Sequence, residues 1–229
     1  MKQRNFSHPQ GDVPVIINAN DHHMALVFVL DVSYSMDGPP IDQLNEGINR
    51  FKAEVCSDKK TRDILDVAVI QFNDDYEVVQ DFVPIEYMTP IHLEAEGGTK
   101  FTAPLREAMS MVSKRSILYR NSGTEPYKPW IIFVTDGEPL NEDITEIAQE
   151  MISMQASNKV RLIALGVGDY NSAKLKELTD VVFRMEGTDF TSFFDWVNKS
   201  MRSISLSSPG EKPQLPPLEG NVYRDVSDI

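Results

Sequence analysis

The chain has 229 residues, of which 41% are hydrophobic and 25% are charged, with 22 basic and 35 acidic side chains giving a formal net charge of −13. This composition is ordinary for a soluble globular protein, and the length suffices for one well-buried α/β domain with a tail. Nucleic acid is not expected as a direct partner, because binding phosphates requires basic patches.

The single cysteine, Cys56, excludes an internal disulfide, so the sequence gives no sign of an oxidising compartment. Residues 1–10 are polar and lack the apolar core of a signal peptide. The longest apolar run, residues 24–30, is too short to span a bilayer. We therefore expect a cytoplasmic protein that has no membrane partner.

Apolar runs that predict strands alternate along the chain with helical patterns, in which apolar residues recur every three or four positions. Strands are predicted at residues 25–30, 65–72, 76–83, 130–135, 160–167 and 181–185. Helices are predicted at about 40–56, 101–118, 144–155, 175–178 and 190–201. The alternation predicts a three-layer α/β sandwich with a doubly wound, mostly parallel sheet of six strands. The turn signal Asn73-Asp74-Asp75 makes the strand at 76–83 the one antiparallel edge strand.

Composition divides the chain into three parts. Residues 1–21 form a polar N-terminal arm with a short apolar patch at 13–17, and residues 22–204 form the α/β domain. Residues 205–229 are rich in Pro and Ser. Because four prolines between 209 and 217 disfavour a helix or a central strand, we expect a tail that is mostly extended or disordered.

Side chains that carry oxygen follow two of the predicted strands and one glycine turn. Asp31, Ser33 and Ser35 follow the first strand, Thr99 follows Gly97-Gly98, and Asp136 follows the strand at 130–135. Each group alone is more typical of a helix cap. Three such loops together favour one site at the carboxyl ends of the strands, where open α/β sheets bind ligands. Donors that are all oxygen suit a hard cation such as Mg²⁺, Mn²⁺ or Ca²⁺.

The motif Asp31-Val32-Ser33-Tyr34-Ser35, with Thr99 after two glycines and Asp136 within Thr-Asp-Gly, resembles the metal-ion-dependent adhesion site of von Willebrand factor type A domains. The resemblance covers about residues 22–203. It implies that the hydroxyls of Ser33, Ser35 and Thr99 bind the cation directly. Asp31 and Asp136 would bind it directly or through water. It also implies a protein-interaction module without catalytic activity, in which the cation captures an Asp or Glu carboxylate of a partner protein.

The segment 135–139, Thr-Asp-Gly-Glu-Pro, and the cytosolic character are most similar to bacterial TerY-type members of that family, which are associated with tellurium resistance and stress response. This narrower resemblance implies partners encoded in the same operon, for example a kinase or a phosphatase.

Two alternatives remain at this point. A metal-dependent hydrolase or phosphotransferase could use the same ion, although haloacid-dehalogenase-type enzymes need a second acid two residues after the first, where this chain has Ser33. A scaffold could also keep the fold without using the metal.

The residues around the site have more than one interpretation. Tyr34 either lies at the rim of the site or packs inside the domain. Glu138, Glu142 and Asp143 could tune the metal or select a partner surface that is basic around its carboxylate. Capping of a helix that begins near Asn141 is the better interpretation for at least one of them. The turn at 74–75 is expected to be solvated.

Overall fold

The computed structural model describes residues 22–226, and its core is a single seven-stranded sheet in the order β3-β2-β1-β4-β5-β6-β7. The strands are β1 (Met24–Asp31), β2 (Leu65–Phe72), β3 (Tyr76–Pro84), β4 (Trp130–Thr135), β5 (Arg161–Val167), β6 (Val182–Met185) and β7 (Val222–Arg224). The five central strands run parallel, whereas β3 pairs antiparallel with β2 and β7 pairs antiparallel with β6.

Helices cover both faces of the sheet. They are α1 (Pro39–Ser57), α2 (Lys59–Ile64), α3 (Thr102–Asn121), α4 (Thr145–Ala156), α5 (Ser172–Leu178) and α6 (Thr191–Ser205). Alternate residues of β1 point to opposite sides, so that Phe28 packs in the core under α1 and α6 while Val29 packs in the core under α3 and α4. Burial on both sides explains why the central strands are continuous apolar runs in the sequence.

The predicted α/β sandwich is confirmed, with one difference in the sheet. The prediction of six strands with one antiparallel edge misses β7, which adds a second antiparallel edge beside β6. The part of the tail up to residue 226 also packs against the domain. Leu215 and Leu218 contact the core, and Trp196 Nε1 donates a hydrogen bond to the Pro216 carbonyl over 3.0 Å. Proline prevents a helix here, but it does not prevent an extended segment from lying along the sheet and α6.

Two other predictions concern the N-terminal arm and membrane-spanning segments. The predicted N-terminal arm, with its apolar patch at 13–17, lies outside the described residues. None of the helices within residues 22–226 is long and apolar enough to cross a membrane.

Candidate metal centre

The predicted site residues lie at the point where the strand order of the sheet reverses direction. β1 pairs with β2 on one side and with β4 on the other, so the strands that follow β1 in the sequence are added first on one side of it and later on the other. Such a point opens a crevice at the carboxyl ends of the strands. Asp31 ends β1, and Asp136 directly follows β4.

Asp31 is held by donors from both central loops. Its Oδ1 accepts a hydrogen bond from the Ser33 amide over 2.8 Å, and its Oδ2 accepts one from the Thr135 hydroxyl. The side chain is fully buried. The carboxylate is therefore fixed between β1 and β4.

The two serines and Asp136 form a chain of hydrogen bonds. The Ser33 and Ser35 hydroxyl oxygens are 3.1 Å apart, and the Ser35 hydroxyl donates to Asp136 Oδ1 over 2.7 Å. Four of the five predicted residues thus come together, through contacts that join positions about a hundred residues apart.

Thr99 belongs to the same cluster, next to the residue that follows Asp136. A Cβ atom added at Gly137 would lie 3.5 Å from the Thr99 hydroxyl. The Thr99 carbonyl accepts a hydrogen bond from the Leu140 amide over 3.0 Å. The loop that carries Thr99 is also joined to the serine loop, because the Tyr34 amide donates to the Gly97 carbonyl over 3.0 Å.

Asp74 positions the glycine turn before Thr99, a role that the sequence did not reveal. Its Oδ2 accepts a hydrogen bond from the Gly98 amide over 2.8 Å, and a Cβ at Gly98 would lie only 2.7 Å from its Oδ1. Gly97 has a φ of 76°, a conformation that side chains disfavour. Both glycines are therefore needed for the turn. Asp74 and Asp75 are exposed, as expected for a solvated turn, and Asp74 has this positioning role in addition.

Glu142 fixes the other side of the Thr99 loop. Its carboxylate accepts hydrogen bonds from the amides of Phe101, over 2.6 Å, and Thr102, over 3.2 Å, at the start of α3. The expected helix start near Asn141 is wrong, since α4 begins at Thr145 and Asn141 lies in a turn with a φ of 52°. Glu142 therefore satisfies amides of a different helix from the one predicted.

Asp143 lies two residues before α4, and its Oδ1 accepts a hydrogen bond from the amide of Thr145, the first residue of that helix, over 2.9 Å. Glu138 instead accepts a hydrogen bond from the Asn171 side-chain amide over 2.7 Å, which links the loop after β4 to the start of α5. These two contacts hold the loop that carries Asp136.

The carboxylates of the site are desolvated. Burial raises the pKa of Asp31 to about 6, against hydrogen bonds from Ser33 and Thr135 that lower it. Burial also raises the pKa of Asp136, opposed by the hydrogen bond from Ser35. Among residues 22–226, no lysine or arginine forms an ion pair with either carboxylate. The negative charge of the site is thus not neutralised by the described part of the chain.

The rim of the site is apolar as well as acidic. Tyr34, between Ser33 and Ser35, is 71% exposed. Leu140, in the loop that follows Asp136, is 49% exposed. Tyr34 therefore lies at the rim, and the alternative that it packs inside the domain is wrong.

The chemistry of the donors is restricted. Within the described residues, no group of three or more His, Cys, Asp and Glu side chains could hold a metal ion. A cation at this site would therefore depend on the hydroxyls of Ser33, Ser35 and Thr99 beside two carboxylates, which is an oxygen-only set for a hard cation.

Residues 25–196 match the family model of the von Willebrand factor type A domain. A search of curated proteins finds no relative with significant sequence similarity.

Several solved structures share the fold at low sequence identity. A von Willebrand factor type A protein from Catenulispora acidiphila matches with a TM-score of 0.62 and 17% identity, over 80% of this chain and 43% of that one. The pilus adhesin SpaC from Lactobacillus rhamnosus GG, in its open conformation, matches with a TM-score of 0.65 and 15% identity, over 81% of this chain and 30% of that one.

Proximal thread matrix protein 1 from the mussel byssus was solved with a zinc-occupied metal-ion-dependent adhesion site motif. It matches with a TM-score of 0.54 and 21% identity, over 80% of this chain and 45% of that one. The chain spans less than half the length of these three structures, and at such identity the likeness shows a shared fold.

Proposed function

We propose, from the premise that this chain belongs to the von Willebrand factor type A domain family, that it is a metal-dependent protein-interaction module. Asp31, Ser33, Ser35, Thr99 and Asp136 would hold one divalent cation at the carboxyl end of the sheet. The cation would then bind an Asp or Glu carboxylate of a partner protein.

The observation that carries this proposal is the hydrogen-bond chain from Asp31 through Ser33 and Ser35 to Asp136. Hydroxyl and carboxylate oxygens are the donors that Mg²⁺, Mn²⁺ and Ca²⁺ prefer, and we propose Mg²⁺ first. Because three of the five donors are neutral hydroxyls, the ion would keep positive charge for one more anionic ligand.

The outer surface of the site supports a protein as the partner. Tyr34 and Leu140 expose apolar side chains beside the cluster, and aromatic residues are enriched at interfaces. The zinc in the mussel protein's motif gives a precedent for a divalent cation in this fold.

We propose no catalytic role. The position two residues after Asp31 is Ser33, which cannot replace the second acid of the phosphotransferase alternative. The narrower assignment remains a proposal that rests on the segment 135–139 and its resemblance to TerY-type proteins. It comprises a role in tellurium resistance or stress response and a kinase or phosphatase as partner. A cytoplasmic location is proposed separately, from the single cysteine, which allows no internal disulfide.

Binding of Mn²⁺, measured by electron paramagnetic resonance, tests the metal site. We expect Thr99→Val to weaken Mn²⁺ binding about tenfold or more, since it removes one direct oxygen ligand. The matched control is Thr89→Val, which alters an exposed threonine that bonds Gln80 away from the site. Equal binding by the wild type and Thr99→Val would refute the assignment.

The vacant ligand position is tested with the same Mn²⁺ complex. Acetate, as a minimal carboxylate, should displace water from the bound ion and lower the relaxation rate of solvent protons. If acetate leaves that rate unchanged while Mn²⁺ stays bound, the capture of a carboxylate is wrong, although the metal site remains. Metal-dependent turnover of phosphoesters that is lost in Asp31→Ala would favour the enzyme instead.

A further inference from the structure

A second concave site lies at the opposite end of the sheet, where β4 and β5 begin. The cavity has a volume of about 980 Å³. Trp130 and Arg161, the paired first residues of these two strands, line it, together with the ends of α3 and α4. Residues 207–215, which follow α6, form another wall, and they are held there by a 2.8 Å hydrogen bond from the Tyr127 hydroxyl to the Ser207 carbonyl.

The charge of this cavity is opposite to that of the chain. Acidic residues outnumber basic ones by 35 to 22 in the whole sequence, yet the cavity is lined by five basic side chains and only two acidic ones, Glu125 and Glu211. The basic residues are Arg120, Lys128, Lys159, Arg161 and Lys212. None of the five forms an ion pair with any residue between 22 and 226.

Arg161 is the most constrained of these groups. Its guanidinium lies over the Trp130 ring, 5.3 Å from the centroid. Its Nε is buried and has no hydrogen-bond partner in the described part of the chain. Asp180 is near enough to raise the pKa of Arg161, but burial has the larger effect and lowers it. A buried donor without an acceptor costs free energy, which a bound anion would recover.

The basic groups also repel one another. Lys128 is exposed, but its partial desolvation lowers its pKa, and the neighbouring charges of Arg161 and Lys212 lower it further. These three residues come from the loop before β4, from β5 and from the segment after α6, so the fold itself gathers them. Such an arrangement is unfavourable for the protein alone and favourable once an anion is bound.

We propose that this cavity binds a small phosphate-bearing molecule with several negative charges, of the class of pyrophosphate and nucleoside polyphosphates. Its volume is within the range of about 300–1,000 Å³ typical of small-molecule sites. Arginine and lysine are the side chains that bind phosphate groups. A net charge of −13 would repel a long polyanion such as nucleic acid, whereas a small ligand contacts only the basic cavity.

Isothermal titration calorimetry with pyrophosphate and with ATP tests this proposal. The buffer is freed of metals with a chelating resin, because a soluble chelator is itself a polyanion. We expect Lys128→Ala/Lys212→Ala to bind both ligands about tenfold more weakly than the wild type. Both lysines are exposed, so the double variant should fold.

The matched control is Lys60→Ala/Lys114→Ala, which removes the same charge from exposed lysines outside the cavity and should bind like the wild type. Asp31→Ala should also bind like the wild type, so this result is independent of the metal centre. Absence of binding to the wild type, or equal losses in the two double variants, would overturn the proposal. Citrate binding as tight as that of pyrophosphate would overturn the assignment to phosphate.

Discussion

Two aspartates are buried at opposite ends of the same sheet, Asp31 at the end of β1 and Asp66 near the start of β2. Asp66 Oδ2 accepts hydrogen bonds from Arg115 Nη2 over 2.6 Å and from the Tyr119 hydroxyl, and the guanidinium is as buried as the carboxylate. Asp31 accepts hydrogen bonds from the Ser33 amide and the Thr135 hydroxyl, which are neutral donors.

The comparison indicates that the charge of Asp66 belongs to a structural ion pair, whereas the charge of Asp31 is available to bind a ligand. A buried carboxylate is tolerated when a cation and further hydrogen bonds compensate it, as Arg115 and Tyr119 do for Asp66. For Asp31 no such cation is present among residues 22–226, and its pKa is raised. We therefore expect substitutions at the two aspartate sites to have opposite effects on stability.

The largest effect is expected for Arg115→Met, which leaves the Asp66 carboxylate buried without its cation. We expect the free energy of unfolding to fall by about 3–5 kcal/mol, measured by urea denaturation. The control is the double variant Asp66→Asn/Arg115→Met, which removes both charges and should recover most of the loss. A loss of under about 1 kcal/mol in the single variant would show that Arg115 does not compensate Asp66.

A change of opposite sign in the free energy of unfolding is expected for Asp31→Asn in metal-free buffer. The neutral amide removes an uncompensated buried charge, so the free energy of unfolding should rise by about 1–2 kcal/mol at pH 7. Millimolar Mg²⁺ should raise the melting temperature of the wild type and leave that of the variant unchanged. A variant that is less stable than the metal-free wild type would contradict the contrast between the two aspartates.

A smaller effect is expected from Glu142→Gln, since Glu142 holds the Thr99 loop without belonging to the proposed ligand set. Gln keeps one acceptor for the amides of α3 but loses the charge, and we expect Mn²⁺ binding to weaken about fivefold. Glu146→Gln changes an exposed glutamate on α4 and should leave Mn²⁺ binding unchanged. Equal losses in both variants would point to overall charge rather than to loop geometry.

The smallest effect concerns Asp225, which is neither metal-binding nor fully buried. Burial raises its pKa, but hydrogen bonds from Lys176, Ser172 and Tyr170 outweigh burial, and the net pKa is lowered. Because the folded state favours the carboxylate, its stabilisation is present above the ordinary pKa of about 3.9 and is lost as the pH falls through the folded value.

We therefore expect the free energy of unfolding at pH 7 to be about 1 kcal/mol higher for the wild type than for Asp225→Asn. The difference should shrink below about pH 4, as urea denaturation over a pH series would show. A difference that is constant from pH 7 to pH 3 would mean that the charge of Asp225 is not involved.

The sequence predicted the elements whose signals are local. β2 was predicted at its observed bounds, because an apolar run ends at a turn signal. The grouping of Asp31, Ser33, Ser35 and Asp136 was also predictable, since parallel strands place their carboxyl ends at one edge.

The sequence could not reveal contacts between distant segments. Glu142 bonds amides 40 and 41 residues earlier, and Asp74 bonds an amide 24 residues later, while each is an ordinary loop acid by local pattern. The basic cavity was missed for the same reason, because its five charges are scattered over almost a hundred residues of an acidic chain. β7 has only three residues after a proline-rich segment, too few to show an alternating pattern.

The pairing of β7 with β6 has a consequence for shortened forms of the chain. Met185 and Val222 are register partners, so residues 222–224 cover backbone amides and carbonyls at one border of the sheet. An uncovered border is a template for pairing with another molecule. A protein that ends at residue 205 should therefore associate with itself through β6, and light scattering would detect the resulting oligomers.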